Sequence, residues 1–326
     1  MPTASIIVPA FNVAATLAET LKALSAQSYE DYEIIIVDDG STDATRDVID
    51  AFCADLRVSV HSQRNRGLAG ARNTGISVAK GAFIGFCDAD DIWEPEKLAT
   101  HVAHLQSNQQ VGVSYSGSSL IDAAGNNLGL AQRPRLHDIS ATHILKRNPI
   151  GNGSAPVIRR EVFDAIAYRP KSERRRNWYF DETFRQSEDI ECWLRIALTT
   201  DWVFEGVAGL LTRYRISPQG LSAATEAQLA AWEKVVSKLT PLHPAFFARH
   251  TKIARSYQLR YLARRAISDR NVTRAVEMTR ASLGQSLRPL VEEPLKTLST
   301  LGATLVLHYG GATALDVLME PKEHTA

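Results

Sequence analysis

Two acidic clusters and one acidic helix start hold the residues best suited to chemistry. Asp88-Ala89-Asp90-Asp91 follows the apolar run Ala82–Cys87. Carboxylates ending a buried strand are costly unless paired, hydrated or bound to a cation. Mg2+ or Mn2+ typically takes one or two carboxylates and fills its shell from phosphate oxygens and water. An isolated motif of this kind reads as a solvated turn capped by Asp91, but the preceding apolar run puts it at a strand end. Asp38-Asp39-Gly40-Ser41-Thr42-Asp43 is a second acidic strand end. Adjacent strand residues point to opposite faces, so one of Asp38 and Asp39 can accept from a base N–H or a sugar hydroxyl while the other faces the scaffold. Ser187-Glu188-Asp189 opens a helix whose apolar face is Ile190, Trp193 and Ile196. Acids there are favoured by the helix dipole whether or not they do chemistry.

Asn65-Arg66-Gly67 through Arg72-Asn73-Thr74-Gly75 reads as a glycine-rich loop feeding a helix. Small residues allow close backbone approach, and arginines suit phosphate. Neither GxxxxGK[ST] nor GxGxxG is present, which excludes a P-loop and the usual dinucleotide fingerprint. Tyr214-Arg215 with Gly220-Leu221-Ser222 is a basic, turn-rich loop.

The elements that must position these residues alternate. Ser5–Val8, stopped by Pro9, reads as a buried strand, and Leu17, Leu21 and Leu24 follow at helical spacing. Tyr32–Val37 is a second strand, Val58–Val60 a third and Ala82–Cys87 a fourth, with helices carrying Val48, Ile49 and Phe52, then Leu98, Val102 and Leu105. This order predicts a three-layer α/β/α domain with a mostly parallel sheet. Ligands of such sheets gather beyond the carboxyl ends of the strands, where Pro9, Asp38-Asp39 and Asp88–Asp91 all fall. Residues 111–222 mix strands with a helix near 190–198, and 223–326 reads as helical.

The 326 residues are 44% hydrophobic and 22% charged with a net charge of +1, which excludes a disordered polymer and wholesale nucleic-acid coating. Residues 1–110 hold 8 basic and 15 acidic side chains, residues 133–176 hold 11 and 4, and residues 249–288 hold 10 and 2. The basic segments suit an anionic lipid surface or a pyrophosphate-linked lipid acceptor. They equally suit solvated arginine-rich faces balancing an acidic front. Three scattered cysteines without a CxxC pair argue against a disulfide framework and for a cytoplasmic setting. Thr297–Leu315 lacks Asp, Glu, Lys and Arg, but only about half of it is apolar, so a packed or surface-lying helix is expected rather than a span.

Taken together and in order, these blocks resemble the inverting family 2 glycosyltransferases of GT-A fold over residues 4–222. The matching residues are Ser5–Asn12, Val37–Asp43, Asn65-x-Gly67 through Gly75, Asp88-Ala89-Asp90-Asp91-x-Trp93, and Glu188-Asp189-x-x-x-Trp193-Leu194-x-Arg195. The resemblance implies a nucleotide-sugar-binding half over 1–110, an acceptor and catalytic-base half over 111–222, and a helical region outside the resemblance over 223–326. It implies transfer from a nucleotide-sugar, usually a UDP-sugar, to a glycan or lipid-linked acceptor hydroxyl, with no nucleic-acid partner. Pro9, Phe11 and Asp39 would hold the uracil and ribose, joined around the donor by Ala10, Asn12, Asp38, Gly67, Asn73 and Ala89. Asp88 would lie near the ribose and metal, Asp90 would bind Mn2+ or Mg2+, and Asp189 would be the general base. Arg72 and Arg215 are diphosphate candidates. On the acceptor side stand Asn152, Glu188 and Trp193. A sugar nucleotidyltransferase would be expected to open with a Gly- and Arg-rich loop, where this chain has Pro9-Ala10-Phe11-Asn12. A catalytically silent nucleotide-sugar binder is the other alternative.

Overall fold

The computed structural model describes residues 1–174, 176–216 and 225–319. Arg175 and the Gly220-Leu221-Ser222 turn lie outside the described residues. The chain divides into two compact units, Met1–Ile144 with Asn148–Ala223, and Leu145–Arg147 with Ala224–Ala326.

The first unit begins with β1 (Ala4–Ala10), α1 (Leu17–Ser25), β2 (Tyr32–Asp38), α2 (Thr45–Phe52), β3 (Val58–Ser62), α3 (Gly67–Val78) and β4 (Phe83–Phe86). It continues through β5 (Ile92–Trp93), α4 (Lys97–Ser107), β6 (Val111–Ile121), β7 (Asn127–Gln132), α5 (Ala141–Lys146), β8 (Val157–Arg159), α6 (Arg160–Ile166), α7 (Glu188–Thr199) and β9 (Val203–Arg215). The strands form one sheet in the order β3-β2-β1-β4-β8-β6-β9-β5, with β7 on β6. The first four strands pair in parallel, with Ala10 opposite Asp38 and Ile7 opposite Phe86. Beyond β4 the sheet is mixed, because β8 runs antiparallel to both β4 and β6 while β9 runs parallel to β6. All seven residues of β1 are buried, as expected for a strand covered on both faces, whose sequence is apolar without alternation.

β1 runs through Pro9 rather than ending before it. The Ile7 carbonyl accepts from Cys87 on the β4 side, and the Ala10 carbonyl accepts from Asp39 on the β2 side. By alternation Pro9 faces the β4 side, where the last ladder bond runs from the Cys87 amide to the Ile7 carbonyl. With no N–H on Pro9 the ladder to β4 stops there, while pairing with β2 on the other side continues to Ala10–Asp38.

α1 buries Leu17, Leu21 and Leu24 against the sheet. α3 lies close on β1, since a Cβ on Gly75 would stand 2.3 Å from the Ile7 side chain. A chain of edge-to-face rings, Phe86–Phe180–Trp193–Phe204, joins β4, α7 and β9 at centroid distances of 5.5, 5.9 and 6.5 Å.

The second unit is helical: α8 (Thr225–Leu239), α9 (Pro244–Ser268), α10 (Val272–Gln285), α11 (Arg288–Glu292) and α12 (Pro294–Met319). Leu145–Arg147 joins it through hydrogen bonds from Trp232 Nε1 to the Leu145 carbonyl (3.0 Å) and from Gln258 Nε2 to the Lys146 carbonyl (3.0 Å). Ala263, Ala266 and Ala275 let α9 and α10 pack closely. Among the described residues, no helix is long and apolar enough to cross a membrane.

Candidate active site

Parallel register brings the carboxyl ends of β1, β2 and β4 to one rim, and the acidic turns begin there. Asp38 Oδ1 accepts from the Ser41 amide at 3.0 Å, closing the turn after β2. Asp39 is buried. Its Oδ1 accepts from Gln63 Nε2 (2.6 Å) and the Arg66 amide (2.8 Å), and its Oδ2 accepts from the Gly67 amide (2.8 Å). Burial raises the Asp39 pKa despite these three donors. The carboxylate thereby fixes the entry to α3, where Gly67 has a left-handed φ of 77°, a conformation that favours glycine. Pro9 and Ala10 are buried beside this turn, and Phe11 is 47% exposed. Asn12 Oδ1 accepts from the Thr42 amide at 2.8 Å, tying the loop after β1 to the loop after β2.

The turn after β4 is organised by Ser154. Its hydroxyl accepts from the Asp88 amide (2.9 Å) and donates to Asp91 Oδ2 (2.5 Å), while its carbonyl accepts from Trp93 Nε1 (3.1 Å). The other Asp91 oxygen accepts from the Arg215 amide at 3.0 Å. Asp91 is therefore a buried structural acid, pushed well above the usual carboxylate range by burial and by Asp88 and Asp90. Ala89 is buried, and its carbonyl accepts from Thr16 Oγ1 at 2.9 Å.

Arg72 joins this turn to α7. Its side chain is 3% exposed and donates to Asp88 Oδ1 and Glu188 Oε1, each at 2.9 Å. The guanidinium lies over the rings of Phe86 and Phe180, 5.6 and 5.5 Å from their centroids. A Cβ on Gly153 would stand 2.2 Å from the Arg72 guanidinium and 2.9 Å from Asp88, so the 152–154 turn passes hard against this pair. Glu188 and Asp189 occupy the first turn of α7 after Ser187, whose φ is 61°. Burial raises the pKa of both acids, and Arg72 opposes the rise. Asp189 Oδ2 accepts from Asn148 Nδ2 at 2.8 Å.

Four sequence candidates point elsewhere. The Arg215 guanidinium donates to the carbonyls of Asp90 (2.8 Å), Asp122 (3.1 Å) and Ala123 (3.0 Å) and pairs with Glu19 (2.6 Å), so it latches the acidic turn from behind instead of facing a diphosphate. Asn73 is fully buried. Its amide donates to the Phe180 carbonyl (2.8 Å) and Glu182 (2.9 Å) and accepts from the amides of Tyr179 (3.0 Å) and Phe180 (2.9 Å), leaving none of its capacity for a ligand. Trp193 belongs to the ring cluster of the core. Asn152 spends its amide on Ser118 (2.8 Å), Gln132 (3.1 Å) and the Ser154 amide (3.1 Å). Sequence reasoning passed over Asn148, since no local spacing marks it, and set Asn152-Gly153-Ser154 on the acceptor side, whereas Ser154 holds the turn after β4.

The donor set at Asp88 and Asp90 suits a hard cation that also binds phosphate. Among the described residues, Asp88 has one cationic partner, Arg72. No side chain donates to the Asp90 carboxylate among the described residues, and burial beside Asp88 pushes it up to about 6. A positive charge there would relieve both effects. No cluster of three or more His, Cys, Asp or Glu is preformed to hold a metal among the described residues. A cation held by these two carboxylates would complete its shell with water or phosphate oxygens, the usual habit of Mg2+.

The glycosyl transferase family 2 model matches residues 5–167, half of the chain. An uncharacterised glycosyltransferase of Nostoc sp. is 36% identical over 171 residues, covering 50% of this chain and 52% of that protein. The Escherichia coli enzyme named UDP-Glc:alpha-D-GlcNAc-diphosphoundecaprenol beta-1,3-glucosyltransferase WfgD is 28% identical over 220 residues, covering 67% and 79%. The chain spans about half the length, or less, of the first curated relatives it matches. Among solved structures, Staphylococcus aureus TarS 1-349 in complex with UDP-GlcNAc aligns with a TM-score of 0.59 at 16% identity, covering 94% of this chain and 92% of that one. The Pyrobaculum calidifontis mannosyltransferase in complex with GDP-Man and Mn2+ aligns with a TM-score of 0.57 at 19% identity, covering 97% and 86%. The fold is that of these GT-A enzymes.

Proposed function

The chain belongs to glycosyl transferase family 2, and from that premise we propose that it moves a sugar from a UDP-sugar to an acceptor hydroxyl with inversion. One observation carries the reading. Arg72 bridges the Asp88 turn and the start of α7 with two 2.9 Å ion pairs, so the acids suited to a donor diphosphate and the acid suited to deprotonation belong to one charged assembly.

In this reading the nucleoside lies against Pro9, Ala10, Phe11, Asn12, Asp38 and Asp39, and its diphosphate points toward Asp88 and Asp90. A bound Mn2+ or Mg2+, held by Asp90 with Asp88 nearby, would supply Lewis-acid charge for the leaving diphosphate. Asp189 Oδ takes the proton of the acceptor hydroxyl as that oxygen attacks the anomeric carbon. The C1–O bond to the diphosphate breaks, and its electron pair leaves with the nucleoside diphosphate. Burial strengthens Asp189 as a base, Asn148 orients it, and the Arg72 charge opposes the upward shift. No covalent enzyme nucleophile is required. Holding two substrates in line contributes much of the rate.

The relatives' names support a sugar-diphospholipid acceptor, and the basic segment 133–176 suits such a charge. We place the chain in the cytoplasm, peripheral to an anionic membrane through its basic rear helices. Vesicle flotation tests this: equal, negligible binding to neutral and anionic vesicles removes the membrane contact.

The test of the function is a panel of nucleotide-sugars with Mn2+ or chelator, read first by thermal unfolding and then by transfer to a sugar-diphosphoprenol. One UDP-sugar should raise the unfolding temperature only with the metal and should be consumed when acceptor is added. Stabilisation without any transfer or slow donor hydrolysis would leave a silent binder; no stabilisation by any nucleotide-sugar would overturn the reading.

A further inference from the structure

Helix α12 buries Leu307 and Leu315 in the core of the unit, while its N-terminal half turns three threonines inward and three leucines outward. Thr297, Thr300 and Thr304 are 4, 3 and 5% exposed, whereas Leu295, Leu298, Leu305 and Tyr309 are 83, 55, 56 and 82% exposed. The inward hydroxyls are all satisfied. Thr297 accepts from Arg260 and donates to the Pro289 carbonyl (2.7 Å), Thr300 donates to the Lys296 carbonyl (2.7 Å), and Thr304 pairs with Thr279 (3.0 Å). The outward residues 295, 298, 302, 305 and 309 step by three and four in strict alternation, the seam spacing of two helices that pack on each other.

Gly302 is the midpoint of this seam, and a Cβ built there meets nothing within 4 Å. A helical glycine costs about 1 kcal/mol against alanine, and nothing among the described residues of this unit requires one. Close approach of a second backbone would. A lipid surface would not, since it rewards apolar bulk at each outward position. Lys296, next to Leu295, pairs with Glu293 at 3.1 Å.

We propose that this face of α12 is the interface with a second copy of the chain, the two α12 helices crossing at Gly302. Three leucines with on the order of 100 Å2 each and a tyrosine with about 200 Å2, contributed by both copies, bring together about 1,000 Å2, the lower bound for a specific interface. The dimer is accordingly expected to be of moderate strength. This inference rests on the helical unit alone and is independent of the glycosyltransferase reading.

Sedimentation equilibrium of the 326-residue chain tests it at tens of micromolar. The expected result is twice the chain mass, falling to the chain mass in Leu298→Glu/Leu305→Glu with unchanged helical circular dichroism. Should that variant misfold, Gly302→Leu decides. The added side chain separates the crossing helices and weakens self-association at least about tenfold, or about 1.4 kcal/mol, whereas lipid binding would strengthen. A chain that is monomeric throughout, a Gly302→Leu dimer as tight as wild type, or a monomer that floats with vesicles more strongly after Gly302→Leu would each overturn the proposal.

Discussion

Arg72 Nη2 stands 2.9 Å from Asp88 Oδ1, an ion pair whose arginine side chain is 3% exposed. The second terminal nitrogen of the same guanidinium meets Glu188, the neighbour of Asp189. The turn after β4 and the start of α7 are 100 residues apart between Asp88 and Glu188, and this one side chain sets their spacing.

Removing Arg72 leaves two acids facing each other in a poorly hydrated place. Arg72→Met is expected to destabilise the fold by about 3–5 kcal/mol, the usual consequence of breaking a buried pair. Arg72→Lys keeps the charge but not the fork and should lose less. Because the Arg72 charge opposes the upward shifts of Glu188 and Asp189, the acidic limb of the kcat/KM profile should move to higher pH in Arg72→Met and less in Arg72→Lys. Urea unfolding and a pH–rate series check both. A Met variant with an unmoved acidic limb would remove Arg72 from its positioning role.

Asp189→Asn keeps the shape of the side chain and its place beside Asn148 while removing the proposed base. We expect kcat to fall by about 10²–10⁴, the usual worth of general base catalysis, with UDP affinity changed by less than roughly twofold, or about 0.4 kcal/mol. Wild-type turnover in this variant would exclude Asp189 as the base.

Asp90→Ala should weaken Mn2+-dependent UDP binding by at least about tenfold, near 1.4 kcal/mol. Titration calorimetry with Mn2+ and with chelator measures it. If the wild-type affinity is the same under both conditions, the metal assignment at this turn fails.

Lys97 offers a pH test away from the site. Its side chain is fully buried, with Nζ donating to the Ala155 carbonyl at 2.7 Å and standing 4.9 Å from the Trp93 ring. Burial holds its pKa down to about 7 from 10.5. Between those values the unfolded chain binds the extra proton, so the Lys97 contribution to stability rises with pH. The stability of Lys97→Met relative to wild type should therefore fall as pH rises from 7 to 9, by at most about 1.4 kcal/mol per unit. A difference independent of pH would mean that Lys97 titrates alike in both states.

The first half of the fold was legible because its strands are continuous apolar runs that end at acids. A strand covered on both faces cannot hide a charge in its interior, so Asp38 and Asp88 mark where β2 and β4 meet the rim. The helical faces of α1 and α4 were legible for the same local reason, since Leu17, Leu21, Leu24 and Leu98, Val102, Leu105 repeat at turn spacing. Pro9 was misleading: it stops pairing only on the β4 side that its nitrogen faces, and the ladder to β2 runs on to Ala10–Asp38.

Residue types and short spacings determined the family, the acidic rim and the acidic start of α7, because those features lie within a few residues of one another. Tertiary structure alone decided which polar groups are spent and which are left for a ligand. Arg72 and Arg215 read alike as basic side chains, yet one joins Asp88 to Glu188 and the other is absorbed by the carbonyls of Asp90, Asp122 and Ala123. Ser154 reaches Asp88 and Asp91 across 66 and 63 residues, and Asn148 reaches Asp189 across 41. Such partners are set by the order of strands in the sheet, which brings distant turns to one edge, and a pattern of near neighbours carries no record of that order.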